Sequence, residues 1–452
     1  MRTMKLRRTS ALAAAVALAL TACGGDGGDA DPGDTGTEAT GTEDDGGDGG
    51  DVTTDVGVTA EPCPNAVNPD NGCIYLGVIS DLTEGPFAAL AVPITDAQKA
   101  FWNRVNENGG IGGAYDVDIT TYTRDNKYNP EIHNQVYQEI KPNILALAQT
   151  LGSPTTAAIL DDLKASSIVA APASWTSAWD FEDVILESGN NYCVESINAL
   201  DFLNAEAEIS SVLAVHYPGD YGADGAAGAK LWADANGVDF ASVEQAPGGQ
   251  PVDAAVGAIL QQQPDVVVIT TAPTELAQIV GGAAAQGFTG RFLGNSPTWN
   301  PALLQSPAAD ALTALYTNGG PWPSFGTDTP GHTAMREALG DVNGNDGYTS
   351  GWAWSYPLLA ALEAAYDSGD LTRAGVLAAV STLDSVDYEG MLPAEAGNFT
   401  GDPADQFTKV TAIGRPDAEV GSGLTTVETA FTGDTLAGIT FDGPCFQTVS
   451  LD

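Results

Sequence analysis

Short apolar runs alternate with amphipathic stretches along most of the chain. Ile74 to Ser80 is a near-continuous apolar run, and Tyr115 to Thr123 alternates between apolar and polar residues. Helical patterns follow these two segments, at Ala97 to Asn106 and from about Pro130 to Ile140. Strands that alternate with helices are typical of a largely parallel sheet with helices on both faces. The pattern therefore predicts an α/β fold.

The stretch from Ile144 to Thr176 predicts a strand, a loop, a helix, a second strand and a second loop. The apolar run Ile144 to Ala148 is followed by Ser153, a residue type that commonly starts a helix. The next strand, Ile168 to Ala171, leads into the small polar loop Ala173 to Thr176. Loops at the carboxyl ends of neighbouring parallel strands form the usual ligand crevice of an open α/β sheet. Ordinary turns with capping residues would explain the same pattern.

The same alternation restarts after Cys193. Strands are predicted at Val212 to His216, Asp265 to Thr270 and Arg291 to Gly294, with helical patterns between them. Beyond Pro330 the pattern changes to three helices and then to a glycine-rich tail with strand character. Two successive arrays of similar size predict two doubly wound lobes.

The N-terminus has the features of a targeting segment. Basic residues precede the apolar stretch Ala11 to Leu20, and Leu20-Thr21-Ala22-Cys23 follows directly and resembles a bacterial lipobox. We therefore expect residues 1–22 to be a signal peptide and Cys23 to be lipidated; a plain secretory signal is the alternative. Residues 23–60 are rich in glycine, threonine and acidic residues, which predicts a disordered tether to the outer face of the cell membrane.

The charge balance excludes some partners. With 16 basic and 60 acidic residues, the formal net charge is −44. Such a chain repels nucleic acid and anionic lipid head groups, so we expect neither as a partner. A salty habitat and solubility alone are both possible reasons for the acidity. No stretch after the signal region has 18 uninterrupted apolar residues, so we expect a soluble body.

Four cysteines remain after Cys23. An even number in an exported chain predicts two disulfides. Cys63 and Cys73 flank a short loop and are expected to pair, which leaves Cys193 with Cys445. A metal site is the competing interpretation, but neither a C-x-x-C spacing nor a nearby histidine supports it.

Several segments, taken in order, resemble the leucine/isoleucine/valine-binding family of ABC transporter substrate-binding proteins, which has the type I periplasmic binding fold. The most specific is Asn106 to Gly113, followed by a strand and Arg124-Asp125. The loop at Ser153, the turn Asp220-Tyr221-Gly222 and the segment Gln286-Gly287-Phe288 also match in order and spacing. The resemblance covers Ile74 to about Arg415.

This resemblance implies two lobes joined by three crossing segments, with a ligand trapped between them. Lobe 1 would comprise residues 61–193 and about 325–398, and lobe 2 residues 194–324 and about 399–452. The implied function is to capture an amino acid, amide or small carboxylate and deliver it to the permease subunits of an ABC importer. The implied protein is a monomer with no cofactor. A ligand-sensing subunit of a signalling receptor is the alternative.

The resemblance also assigns ligand contacts. Ser153 and Thr155 match donors to the carboxylate of the ligand, and Ala173 and Ser174 match backbone contacts. Tyr221 matches a residue of the second lobe that covers the ligand. Small hydroxyl groups suit a carboxylate on physical grounds as well.

The chain departs from the family where the family binds an ammonium group. The family's amino-acid binders carry an acid in the loop after the strand at Arg291, whereas this loop reads Asn295-Ser296-Pro297-Thr298-Trp299. Two tyrosines of the family are replaced in this chain, one by Ala272 and the other by a residue near Leu90. Because an unpaired buried ammonium is costly, we expect a ligand other than a standard amino acid. Trp175 and Trp299 would form apolar walls of the site, although Trp299 fits a core position equally well.

An enzyme is a rival interpretation with little support. His133, His216 and His332 have no companion motif for a nucleophile, a zinc site or a nucleotide site. The segment Asp341 to Gly347 hints at a calcium loop. It lacks the glycine and the final acid that such a loop needs, so we expect a turn there and no metal.

Overall fold

The computed structural model describes residues 52–401, 406 and 408–451. The predicted signal peptide, Cys23 and the tether up to residue 51 lie outside these residues. Within the described part of the chain, no helix is both long enough and apolar enough to cross a membrane.

The strands are short, and most of those in the sheet interiors are fully buried. They are β1 Thr53–Thr54, β2 Val58–Thr59, β3 Gly72–Ser80, β4 Tyr115–Asp125, β5 Ala146–Leu151, β6 Ala170–Ala173, β7 Ser211–His216, β8 Asp239–Glu244, β9 Val266–Thr270, β10 Arg291–Asn295, β11 Tyr316–Gly320, β12 Asp370–Leu371, β13 Thr411–Pro416 and β14 Leu424–Phe431.

The α-helices connect these strands or pack on their faces. They are α1 Ala88–Glu107, α2 Pro130–Ile140, α3 Ser153–Ala157, α4 Leu160–Ala165, α5 Tyr192–Glu206, α6 Asp220–Asn236, α7 Asp253–Gln262, α8 Pro273–Ala285, α9 Ala309–Leu315, α10 Pro330–Leu339, α11 Asp346–Ala353, α12 Ser355–Asp367 and α13 Arg373–Val380. A last short helix spans Cys445–Thr448.

Two separate sheets define the two lobes. In the first, β3 pairs in parallel with β4 and β5, β5 pairs in parallel with β6, and β2 runs antiparallel to β3. In the second, the order is β14-β13-β11-β10-β9-β7-β8, parallel from β8 to β11 and antiparallel at β13 and β14. The predicted α/β fold with two doubly wound lobes is confirmed.

The chain passes between the lobes three times. It crosses between β6 and α5, between β11 and α10, and between α13 and β13. The return into the first lobe adds α10 and α11, which both pack on α1. Residues far apart in sequence therefore meet where the two sheets face each other.

The end of the predicted tether is folded, which corrects its boundary at residue 60. β1 pairs with β12, and Val58 of β2 lies opposite Ile74 of β3. Val58 is buried, and Val52 packs against the core of the first lobe. Even a few apolar residues are enough to join a sheet edge when a partner strand is already in place.

Both expected disulfides are present. Cys63 pairs with Cys73, and Cys193, near the start of α5, pairs with Cys445 of the last helix. The second bond ties the C-terminal tail to the second lobe.

Candidate functional site

The loop after β5 begins with a glycine that no other residue could replace without strain. Gly152 has a φ of 97°, and a Cβ atom there would lie 2.7 Å from the ring of Tyr128. Ser153 follows as the first residue of α3 and is 1% exposed. Its Oγ has no hydrogen-bond partner among the described residues. A buried hydroxyl without a partner is costly, so this group is ready to bind a polar atom.

Thr155 plays a different part from the one predicted. Its hydroxyl donates to the carbonyl oxygens of Leu151 and Gly152, the latter at 2.8 Å. The side chain does not line the cavity described below, so it holds the loop that carries Ser153. The expected helix is also interrupted, because α3 ends at Ala157 and α4 begins at Leu160.

The loop after β6 lies beside the first, as expected for adjacent parallel strands. Leu151 of β5 pairs with Ala173 of β6. Ser174 accepts a hydrogen bond from Nε1 of Trp179 at 3.1 Å, which leaves its own proton available to a ligand. Trp175 is 5% exposed and its ring packs on other aromatic rings.

The second lobe contributes an aromatic wall. The hydroxyl of Tyr221, on α6, lies 3.0 Å from the carbonyl oxygen of Thr271 and 3.1 Å from Oδ1 of Asn295, either of which can accept its proton. Its ring packs on Tyr192, with centroids 4.9 Å apart. Trp299 is fixed in turn, because its Nε1 donates to the carbonyl oxygen of Ser422 at 3.0 Å.

These elements enclose a cavity between the lobes. Its empty space, part of which is open to solvent, is about 650 Å³. Apolar and aromatic side chains make up most of its wall. The lining residues are Phe87, Leu90, Ile94, Tyr128, Leu151, Gly152, Ser153, Ala173, Ser174, Trp175, Tyr192, Tyr221, Ser296, Pro297, Trp299, Pro301, Asn345, Asp346, Gly347 and Ser350.

The cavity brings together six of the seven residues predicted to bind the ligand. Thr155 is the exception, and ligand binding by the other six stays a prediction. Trp322 does not line the cavity, but its ring centroid is 5.0 Å from that of Trp175. It therefore supports the cavity wall.

Several lining residues were not predicted from the sequence. Phe87 and Tyr128 come from loops of the first lobe, and Tyr192 begins α5. Asp346 lies in the segment interpreted as a turn, where it begins α11. An acid directly before a helix in a glycine-rich segment was the available signal, but its meeting with the Ser153 loop depends on the second crossing of the chain.

The charge of the cavity wall is unusual. Among the described residues that line it, none is lysine, arginine or histidine, and Asp346 is the one carboxylic acid. Burial raises the pKa of Asp346 to about 7, although the N–H of Phe325 lowers it. Burial also raises the pKa values of Tyr128, Tyr192 and Tyr221 above the ordinary value, so these hydroxyls stay neutral.

A group of carboxyls lies at and beside the first crossing segment. Glu187, Glu195 and Asp224 are buried, and Asp180 is partly exposed. Burial raises all four pKa values, to about 8 for Asp180 and about 7 for Asp224. Within the described ranges, no group of three or more acidic, histidine or cysteine residues is arranged to hold a metal ion.

Asp224 connects three parts of the chain. Its carboxylate accepts hydrogen bonds from the backbone N–H of Ser177, at 2.9 Å, and from the Ser177 hydroxyl. The same hydroxyl accepts from the N–H of Cys445 at 2.8 Å. The crossing segment, α6 and the C-terminal tail thus meet at one buried carboxylate.

Comparison with known proteins identifies relatives of the fold. A family model described as periplasmic binding protein matches residues 74–417. A fatty acid ABC transporter substrate-binding protein from Thermomonospora curvata has a TM-score of 0.79 and 26% identity, covering 87% of this chain and 98% of that one. No curated protein sequence matches the chain.

Two more distant structures share the fold alone. A branched chain amino acid ABC transporter protein from Thermus thermophilus, with bound valine, has a TM-score of 0.70 and 18% identity, covering 81% of this chain and 98% of that one. A possible leucine/isoleucine/valine-binding protein from Rhodopirellula baltica has a TM-score of 0.68 and 16% identity, covering 80% of this chain and 98% of that one.

Proposed function

Because this chain belongs to the periplasmic binding protein family, we propose that it is the extracytoplasmic substrate-binding protein of an ABC importer. We propose further that its ligand is a carboxylic acid with a largely apolar body, such as a fatty acid. The permease subunits of the importer would be its partners, and a single copy would bind one ligand between its lobes. The chemistry of the cavity and the name of one relative support this proposal.

The observation that carries the proposal is the wall of the cavity. Aromatic and aliphatic side chains surround a small number of hydroxyls, of which Ser153 is buried and has no partner among the described residues. An apolar wall suits a hydrocarbon body, and each buried methylene contributes about 0.8 kcal/mol. A hydroxyl that can donate suits the carboxylate head.

The loop in which the family's amino-acid binders carry an acid for the ligand's ammonium group also favours this ligand class. The loop after β10 presents Ser296, Pro297 and Trp299 to the cavity and no acid. The Thermomonospora curvata relative is described as a fatty acid binder, whereas the Thermus thermophilus structure contains valine. The greater similarity to the former supports a ligand without an ammonium group.

A series of straight-chain carboxylates tests the proposal. Isothermal titration with acids of four to twelve carbons, and with leucine and valine, measures affinity as the apolar body lengthens. We expect about a fourfold gain for each methylene until the cavity is full, because 0.8 kcal/mol corresponds to that factor. Tight binding of leucine, with no measurable binding of any straight-chain acid, would refute this ligand class.

Attachment to the membrane is a separate part of the proposal. The motif Leu20-Thr21-Ala22-Cys23 follows an apolar segment, and an acidic, glycine-rich stretch follows the cysteine. A diacylated Cys23 would hold the protein on the outer face of the membrane, since two acyl chains anchor stably where one does not. One observation favours a role in transport over a role in sensing, namely that its structural relatives include proteins of ABC transporters.

A further inference from the structure

Asp346 is held rigidly at the cavity wall by close packing of two helices. Asn345 caps α11 by accepting the N–H of Gly347 at 2.7 Å. A Cβ atom on Gly347 would lie 2.8 Å from the carbonyl oxygen of Leu90, and one on Gly351 would lie 2.2 Å from that of Ile94. The two glycines thus let α11 rest on the backbone of α1, which itself lines the cavity. This contact sets the position of the Asp346 backbone at the cavity wall.

The carboxyl of Asp346 accepts one backbone hydrogen bond, and Asp346 also lines the cavity. Its Oδ1 accepts the N–H of Phe325 at 2.7 Å, and the described residues contain no ion pair to it. The nearby cation Arg336 is bound elsewhere. It donates to the carbonyl oxygens of Phe325 and Thr327, at 2.9 and 2.8 Å, and pairs with Asp328.

An ionised Asp346 conflicts with an anionic ligand. The described lining residues include no basic side chain that could offset two negative charges in one cavity. Like charges close together in a cavity with a mostly apolar wall repel each other, and the pair lowers its free energy by taking up a proton. The proton would come from solvent and remain on the oxygen that Phe325 does not occupy.

We propose that Asp346 is the specificity-determining residue of the cavity and is protonated whenever an organic acid is bound. Each anionic ligand then enters together with one proton, and the neutral carboxyl can also donate a hydrogen bond to it. This inference rests on the proposed function. It explains how a cavity that contains an acid and no base accepts a carboxylate.

Several other titratable groups lie on the elements around Asp346. Burial places the pKa of Asp346 at about 7, whereas burial lowers that of His332, on α10, to about 4. The tyrosine hydroxyls of the cavity stay neutral because their pKa values lie above the ordinary one. Asp96 of α1 faces Tyr348 of α11, and Arg336 keeps its ion pair. Asp220, across the cleft beside Tyr128, has a pKa raised by burial to about 6.

The test measures binding of octanoate, octylammonium and octanamide by isothermal titration between pH 6 and 8.5. Octanoate is ionised throughout this range. The proteins are the wild type, Asp346→Asn and the matched control Asp96→Asn on the neighbouring helix. Asparagine keeps an oxygen that can accept the N–H of Phe325 but cannot be charged. Titrations of the wild type in two buffers of different ionisation enthalpy count the protons taken up, without need of a variant.

We expect the wild-type affinity for octanoate to fall above pH 7, approaching tenfold per pH unit. About one proton should be taken up per octanoate at pH 8, and Asp346→Asn should bind octanoate with little pH dependence. Asp96→Asn should behave like the wild type, and octanamide should bind independently of pH.

Other outcomes separate this inference from the proposed function. Octanoate binding that is equally strong from pH 6 to 8.5 in the wild type, or equally pH-dependent in Asp346→Asn, overturns the inference and leaves the ligand class intact. Octylammonium that binds more tightly than octanoate, with affinity rising with pH, overturns both. Failure of all three probes refutes the ligand class and the inference with it.

Discussion

The rings of Phe87 and Tyr221 meet edge to face across the cavity, with centroids 6.1 Å apart. Phe87 directly precedes α1 of the first lobe, whereas Tyr221 is part of α6 of the second. Both residues line the cavity. Aromatic pairs of this geometry contribute beyond the area that they bury. The contact therefore links ligand enclosure to the approach of the two lobes.

Removal of the Tyr221 ring should weaken ligand binding. Tyr221→Ala removes this part of the cavity wall and the contact with Phe87, so we expect a loss of tenfold or more in octanoate affinity by isothermal titration. Tyr221→Phe keeps the ring and loses the hydrogen bond of the hydroxyl, a net effect of about 0.5–1.5 kcal/mol. Equal binding by Tyr221→Ala and the wild type would exclude this residue from the site.

The Ser153 hydroxyl should contribute to recognition of a charged head group. Ser153→Ala removes one donor to a carboxylate, which is worth about 1.5–3 kcal/mol. The octanoate affinity should fall by about 10- to 150-fold, and octanamide affinity by less. The matched control is Ser166→Ala, since that hydroxyl donates to Asp162 on the surface of α4. A Ser153→Ala protein that retains full affinity would refute the assignment.

Trp175 and Trp322 should act together on binding. Trp175→Ala removes part of the wall, and Trp322→Ala removes the ring that supports it at 5.0 Å. We expect both to weaken octanoate binding and the double variant to lose less than the sum of the two losses. Trp232→Ala, in the core of the second lobe, should lower stability without a comparable loss of affinity. Additive losses would show that the two rings are independent.

The free energy of unfolding should fall as the pH rises from 6.5 to 8. The folded pKa values of Asp180 and Asp224 are raised by burial to about 8 and about 7, so the folded protein holds protons that the unfolded chain has released. The pKa values of His133 and His332 are lowered by burial to about 3 and about 4. These histidines oppose the trend near and below pH 6.5, where the unfolded chain protonates them, and their effect fades as the pH rises toward 8.

Urea unfolding at pH 6.5, 7.25 and 8 measures this dependence at fixed ionic strength. Asp224→Asn should reduce the slope, because the uncharged amide has no proton to lose. Stability that rises with pH over this interval would contradict the assigned protonation states.

The lipid anchor should depend on one residue. Cys23→Ala removes the acceptor of the acyl chains, so we expect the protein to leave the membrane fraction after washing without detergent. Immunoblots of the membrane and soluble fractions measure this. Retention of Cys23→Ala in washed membranes would refute lipidation as the means of attachment.

Much of the fold follows from periodicity. The pattern predicts α2 with the observed boundaries and many other elements to within a few residues. It places the start of α1 at Ala97, nine residues too late, and does not predict β8, α5 or α9. It misses β11, which reads Tyr-Thr-Asn-Gly-Gly and lacks an apolar run although every residue of it is buried. A strand between β10 and β13 is held by tertiary neighbours, so its own propensity need not be strong. The lobe boundaries near residues 193, 324 and 398 stay predictions.

The candidate site is less predictable than the fold. Ser153 and Trp175 follow strand ends, where a sequence pattern can place them. Asp346 comes to the cavity because two glycines of α11 allow close contact with α1, an effect of three-dimensional packing. That the described residues offer Asp346 no ion pair is likewise a property of its neighbours, which no local pattern specifies.

The disulfide between Cys193 and Cys445 spans 252 residues, whereas that between Cys63 and Cys73 spans 10. If the chain is exported from its N-terminus, as the signal-like segment predicts, Cys63 and Cys73 reach the oxidising side long before the other two. Once these two cysteines have paired, neither thiol can form a disulfide with Cys193. Cys193 can then pair only with Cys445, in the last part of the chain. The spacing thus favours one order of oxidation, in which the bond that completes the second lobe closes only after nearly the whole chain has crossed the membrane.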